Sequence, residues 1–146
     1  MISANAQAIL GLGPGLTPSC DDFLAGLMIS LNRGAKVLLR DGKVFFDFLK
    51  MVFANISEES RAKTTIYSQA FLDLASKGEG NDTVIRLVDS LLTDHEDSVA
   101  SYSKTLIEMG ETSGADIAIG IFYGIRFLLS KLEHSEFDMM KDLIHG

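Results

Sequence analysis

Two stretches of this chain carry hydroxyls, carboxylates and glycines in one shared pattern. Ser19, Asp22, Gly26 and Ser30 align without gaps with Ser113, Asp116, Gly120 and Gly124. Ser-x-x-Asp is the spacing of a capping box. There a hydroxyl accepts from the backbone N–H three residues on, and the carboxylate reaches back to the cap. Such a group also places a carboxylate, a hydroxyl and free N–H groups at one point, which makes each start a candidate site as well as a stability device. Asp22 and Asp116 are therefore the candidate catalytic groups, with Ser19 and Ser113 beside them as binding groups.

A glycine loop, Gly11-Leu-Gly13-Pro-Gly15-Leu-Thr17, directly precedes the first of these starts. Its N–H groups and the following helix dipole suit an anion. It is not a P-loop, because no Gly-Lys-Ser/Thr follows. It is not a dinucleotide fingerprint either, because Leu16 occupies the third glycine position. Gly11, Gly13, Gly15 and Thr17 are taken as ligand-binding candidates, together with Gly114 at the second start. The adjacent Asp21 and Asp22 would repel a bare phosphate. The conflict resolves if Mg²⁺ sits between the aspartates and the phosphate, or if the ligand offers amide or hydroxyl donors. It also resolves if one aspartate only caps.

The remaining candidates are weaker. Arg61, with Lys63 nearby, precedes Thr64-Thr65, and a basic residue beside hydroxyls can grip phosphate; Arg61, Thr64 and Thr65 are kept as binding candidates beside a solvated-helix reading. Cys20 falls in the first turn of a helix, but Asp21 and Asp22 oppose thiolate formation and no histidine is near in sequence, which favours an ordinary buried thiol. His95, His134 and His145 have no metal-ligand spacing. The cluster of Phe45, Phe46, Phe48 and Phe53 reads as core; substantial exposure would mark a subunit interface.

These groups need helices to position them, and the punctuation is helical. Thr17-Pro18-Ser19 starts a helix expected to run to about Arg33 and stop at Gly34. Residues 44–57 are apolar nearly all round, and 59–77 are amphipathic up to Gly78. Asn81 caps a helix carrying Val84, Leu87, Val88, Leu91 and Leu92 at helical spacing. Helices are also expected over 95–109 (stopped by Gly110), 113–133 and 135–145. The first ten residues are open between a short helix and a strand. The class is all-α, with about six or seven helices in one domain over 1–146. Gly26/Ser30 and Gly120/Gly124 put small residues on one face of each motif helix, which predicts close packing between the two. The crossing lies seven residues beyond each serine, about 10 Å along the axis. A near-parallel arrangement brings the two starts into one site; an antiparallel one separates them.

The chain has 146 residues, 47% of them hydrophobic and 23% charged, which excludes disordered and fibrous classes. A net charge of −7 opposes nucleic-acid binding. One cysteine excludes a disulfide framework and fits a reducing compartment. The longest apolar runs, 23–31 and 117–125, are nine residues each, against about 20 for a membrane span. The start has no basic n-region, so a cytoplasmic location is expected.

The run from Gly11 through Ser19, Asp21, Asp22 and Gly26 resembles the signature of a bacterial family that includes the AllH-type subunit associated with oxamate carbamoyltransferase in allantoin breakdown. Thr64-Thr65 with Ser68, Leu72, Ala75 and Gly78 resembles its middle segment, and Gly110 through Gly120 its last motif. Two features depart from that family: its members usually carry a further N-terminal region, which leaves this chain open between a fragment, a processed form and a short relative resembling the family's C-terminal part, and they usually have glycine where Cys20 stands. The resemblance implies a subunit that works beside other protein subunits, or as a homo-oligomer, and transfers a carbamoyl group. It implies a small anionic or amide ligand of the phosphate, carbamoyl phosphate or oxamate class, whose amide or carbamoyl group Ser19, Asp22, Ser113 and Asp116 would orient while N–H groups at the two helix starts stabilise a developing oxyanion. Two alternatives stay open: a non-catalytic helical interaction module, and a hydrolase or kinase-like enzyme using Mg²⁺ at Asp21 and Asp22.

Overall fold

The computed structural model describes residues 2–39, 42–93 and 95–145, with side chains from 6 to 133. It contains seven helices: α1 (Ile2–Ile9), α2 (Ser19–Leu38), α3 (Lys43–Lys63), α4 (Ile66–Ser76), α5 (Asp82–Thr93), α6 (Glu96–Ile107) and α7 (Ser113–His145). No strand occurs among the described residues, so the ambiguous start is a helix.

The centre of the molecule is the α2–α7 pair. A Cβ on Gly26 would lie 2.2 Å from the Ile117 carbonyl oxygen, and one on Gly120 would lie 2.1 Å from that of Phe23. Gly124 in turn faces Ser30. Contact partners rise together in number along both helices, so the pair is parallel and the backbones touch where side chains are absent. Around this spine, α4 and α5 pack on α2, α3 packs on α1, α2 and α4, and α6 packs on α5 and α7. Met28, Ile29, Leu72, Val84, Val88, Leu106, Ile121 and Leu128 are fully buried between these helices.

Local signals set several ends. Asn81 Oδ1 accepts from Thr83 N at 2.8 Å at the start of α5. Gly78 and Gly110 follow the ends of α4 and α6 with φ of 77° and 65°, the left-handed region that favours glycine.

Three expected boundaries differ. Helix α2 continues through Gly34 to Leu38, because a Cβ at Gly34 would lie 2.4 Å from Leu128 Cδ1; this glycine makes room for α7 rather than ending α2. Helix α3 runs through to Lys63, and the break falls at Thr64, whose backbone is extended at φ −137° and ψ −179°. Thr65 then caps α4 by accepting from Ser68 N at 3.2 Å. Finally, α7 runs unbroken to His145; no glycine or proline stands between Glu133 and Ser135 to end it.

Candidate functional site: two helix starts joined by hydroxyls and carboxylates

The parallel packing of α2 and α7 fixes the site, because it sets their N-termini side by side. Thr17 Oγ1 and Ser113 Oγ lie 3.1 Å apart although 96 positions separate them in sequence. Thr17 Oγ1 donates to Asp22 Oδ2 at 2.9 Å, and Ser113 also hydrogen-bonds the Asp22 side chain. Asp22 is only 2% exposed. Burial pushes its carboxyl above the usual value, the hydroxyls of Ser113 and Thr17 oppose that, and the negative fields of Asp116 and Asp21 add to the rise. Asp116 is the second acid of the cluster, and its Oδ2 is buried without a hydrogen-bond partner.

The capping-box reading of the two serines does not hold. Pro18 stands at the N-cap of α2 with no side-chain cap bond, and the N–H groups of Asp21 and Asp22 bond to the Pro18 carbonyl at 2.8 and 3.1 Å. Ser19 is thus already the first helical residue, one position too late to cap. The same holds at α7, where Asp116 N bonds to the Thr112 carbonyl at 3.0 Å and Ser113 lies inside the helix. With the caps taken by backbone carbonyls, Ser113 and Thr17 are free to bond Asp22 instead.

Asp21 serves the glycine loop. Its Oδ1 accepts from Gly11 N at 2.8 Å, and its Oδ2 accepts from the Thr64 hydroxyl. Thr65 Oγ1 donates to the Leu16 carbonyl at 2.5 Å. The α3–α4 break therefore clamps both ends of the loop. Gly11 has φ 77°, and a Cβ there would lie 2.2 Å from the Lys63 carbonyl oxygen, so only glycine lets the loop close on α3. An internal carboxylate takes the Gly11 N–H that an anion would need. Other N–H groups at the two starts are also engaged: Cys20 N bonds to Leu12 O, and Gly114 N to Met109 O. Those of Ser19, Ser113 and Ala115 are the ones these bonds leave at the two starts.

A cleft of about 530 Å³ opens in front of this cluster, lined by Pro14, Gly15, Leu16, Thr17, Tyr67, Glu111, Thr112 and Ser113. Asp22 and Asp116 are not among the lining residues; they stand behind Thr17 and Ser113. Of the sequence candidates, Gly15, Thr17 and Ser113 reach the cleft, while Gly11, Gly13, Ser19, Asp21, Thr64 and Thr65 build its loop. Gly114 faces the end of α6, since its Cβ would lie 1.7 Å from the Leu106 carbonyl oxygen. Arg61 pairs with Glu58 at 2.7 Å on an exposed face and lines a separate cavity with Lys36 and Lys50. Tyr67, Glu111 and Thr112 were not singled out from sequence. Tyr67 is 61% exposed on the first turn of α4, and an exposed tyrosine carries no spacing signal that would separate it from any other. Glu111 and Thr112 stand just before Ser113, where an unpatterned loop gave no reason to pick them.

For Mg²⁺, the Asp21–Asp22 pair fits poorly. Both Asp21 oxygens already hold hydrogen bonds, and no group of three or more His, Cys, Asp or Glu among the described residues is arranged to hold a metal ion.

Fold and site together define an all-α protein whose polar centre is a buried carboxylate-hydroxyl cluster at paired helix starts. Residues 9–125 match the family model described as oxamate carbamoyltransferase subunit AllH, and the chain belongs to that family. No solved structure matches it. No helix among the described residues is long and apolar enough to cross a membrane.

Proposed function

We infer that the chain is a subunit of a carbamoyl-transferring enzyme of the oxamate carbamoyltransferase kind, and that the cleft at the paired helix starts binds a small ligand with an amide or carbamoyl group. The observation that carries the ligand reading is the Thr17–Ser113 contact at 3.1 Å with the buried Asp22 behind it. Family membership supports the subunit role.

The chemistry follows from where the protons sit. When Asp22 is ionised, Thr17 and Ser113 both donate to it, and their lone pairs face the cleft. The cleft then accepts N–H donors, such as those of an amide. When Asp22 is protonated it donates to one hydroxyl, whose own hydrogen turns to the cleft and meets a ligand oxygen. Burial, the largest influence on Asp22, raises its pKa and so acts toward the protonated state. The N–H of Ser113, which lines the cleft, supplies the positive end for a carbonyl or carboxylate oxygen. In this reading Thr17 and Ser113 touch the ligand, Asp22 and Asp116 position them, and the clamped Gly11–Gly15 loop shapes the wall. For the Mg²⁺-dependent alternative, no group of three or more His, Cys, Asp or Glu among the described residues is arranged to hold the ion.

A thermal-shift series with carbamoyl phosphate, oxamate and inorganic phosphate, each with and without magnesium, tests the reading. A ligand that binds only the native state raises the melting temperature. Oxamate or carbamoyl phosphate is expected to do so in the parent chain, and Ser113→Ala and Asp22→Asn to abolish the rise while each variant still melts cooperatively without ligand. A rise that persists in both variants removes the cleft from the mechanism.

A further inference from the structure

The group Phe45, Phe46, Phe48 and Phe53, read from sequence as core unless exposed, is core on one side only. Phe53 is buried, but Phe48 is 39% exposed, and on α7 Tyr123, which lines the same groove, is 53% exposed. Between α3 and α7, with α2 as its floor, lies an apolar groove of about 530 Å³. Phe45 of α3 and Phe127 of α7, both in its lining, stack with centroids 6.1 Å apart. Water in such a groove lacks the two to four polar partners that hold ordered water, so the groove is built to be covered.

Two observations say by what. The lining on α3 runs from Phe45 to Ile56, which is about 16 Å or three helical turns. The described residues offer no sheet edge to which a strand could add, so the helix-in-groove mode is the one the walls fit. The second is charge. The whole chain carries −7, yet no acidic residue lines the groove; Arg126 is its charged lining residue, and among the described residues no carboxylate stands within 4.0 Å of it.

We propose that the α3–α7 groove receives an amphipathic helix of a partner subunit, its apolar stripe seated against Phe48 and Phe127 and an acidic residue on its flank meeting Arg126. The proposal rests on the subunit reading for the existence of a partner; the ligand cleft plays no part in it.

Two synthetic amphipathic helical peptides test it, identical in a leucine stripe at i, i+3, i+4 and i+7, one with glutamates on the flank and one with lysines. Binding is followed by NMR chemical shifts at physiological salt. Non-specific attraction to an acidic protein favours the lysine peptide. The proposal expects the glutamate peptide to bind at least about tenfold tighter, with shifts confined to the groove. Phe48→Lys, at an exposed position, should abolish that binding and leave the ligand-induced thermal shift intact. Arg126→Glu should reverse the preference, an outcome loss of folding cannot imitate. Equal binding of both peptides, no binding of either, or binding unchanged in Phe48→Lys overturns the proposal. So does light scattering that shows the chain alone to be a dimer which Phe48→Lys makes monomeric, because the occupant is then a second copy.

Discussion

The starts of α2 and α7 share a sequence pattern and do different work. At α2 the pattern's serine, Ser19, takes no part in the carboxylate cluster, and Thr17 two positions earlier reaches Asp22. At α7 the pattern's own serine, Ser113, makes the corresponding contact. The acids differ as well. Asp22 is held by two hydroxyls, whereas Asp116 keeps one buried oxygen without a partner. A repeated motif thus yields an asymmetric site, because the two helices meet with one start's loop folded over the other. Asp21, which has no counterpart at α7, pins that loop.

The comparison rests first on the shared crossing, and the largest expected effect lies there. Gly120→Ala gains about 1 kcal/mol of helix propensity, but its new Cβ would lie 2.1 Å from the Phe23 carbonyl oxygen. Overpacking against backbone costs about 3 kcal/mol, so a net loss of about 2 kcal/mol or more is expected in urea denaturation, with the ligand-induced shift lost as the two starts separate. An unchanged stability would mean that the helices do not touch at this glycine.

The asymmetry itself is next. Asp21→Asn removes a buried charged acceptor from Gly11 N and Thr64. A loss of about 1.5–3 kcal/mol is expected from bonds of that kind, with faster backbone hydrogen exchange in the 11–17 loop.

A third effect distinguishes Asp22. Its folded pKa lies above the value of 3.8, so between that value and the folded pKa the native state holds more protons than the unfolded chain. Stability from this group is greatest below that window and falls as pH rises through it. Asp22→Asn should flatten this slope in a series of melting temperatures against pH. An identical slope in the variant would assign it to other groups.

The smallest effect separates the two serines. Ser19→Ala should change stability by less than about 0.5 kcal/mol, as a substitution without a bond to lose, and leave the ligand-induced shift intact, whereas Ser113→Ala abolishes it. Equal effects of the two would make the site symmetric after all.

Much of this was readable from spacing alone. Helix class, the glycine stops at 78 and 110, the Asn81 cap and the meeting of α2 with α7 through small residues all follow from local propensity and from where side chains are missing. A small residue at every fourth position on an apolar face has few explanations other than a close neighbour, so the crossing could be anticipated, whereas the parallel sense that pairs the two starts came from the tertiary structure. What the sequence could not supply was the partner of each buried polar group. Thr64 was a candidate for phosphate because a basic residue stands near it, and spacing gave no sign that it donates to Asp21 from 43 positions away. Arg61 shares that stretch of sequence yet points to another cavity. The reason is physical. A cap or a hydrophobic stripe is settled within a few residues by backbone geometry, whereas a buried carboxylate takes whichever donor the packing of distant helices brings to it, and that choice exists only once the chain has folded.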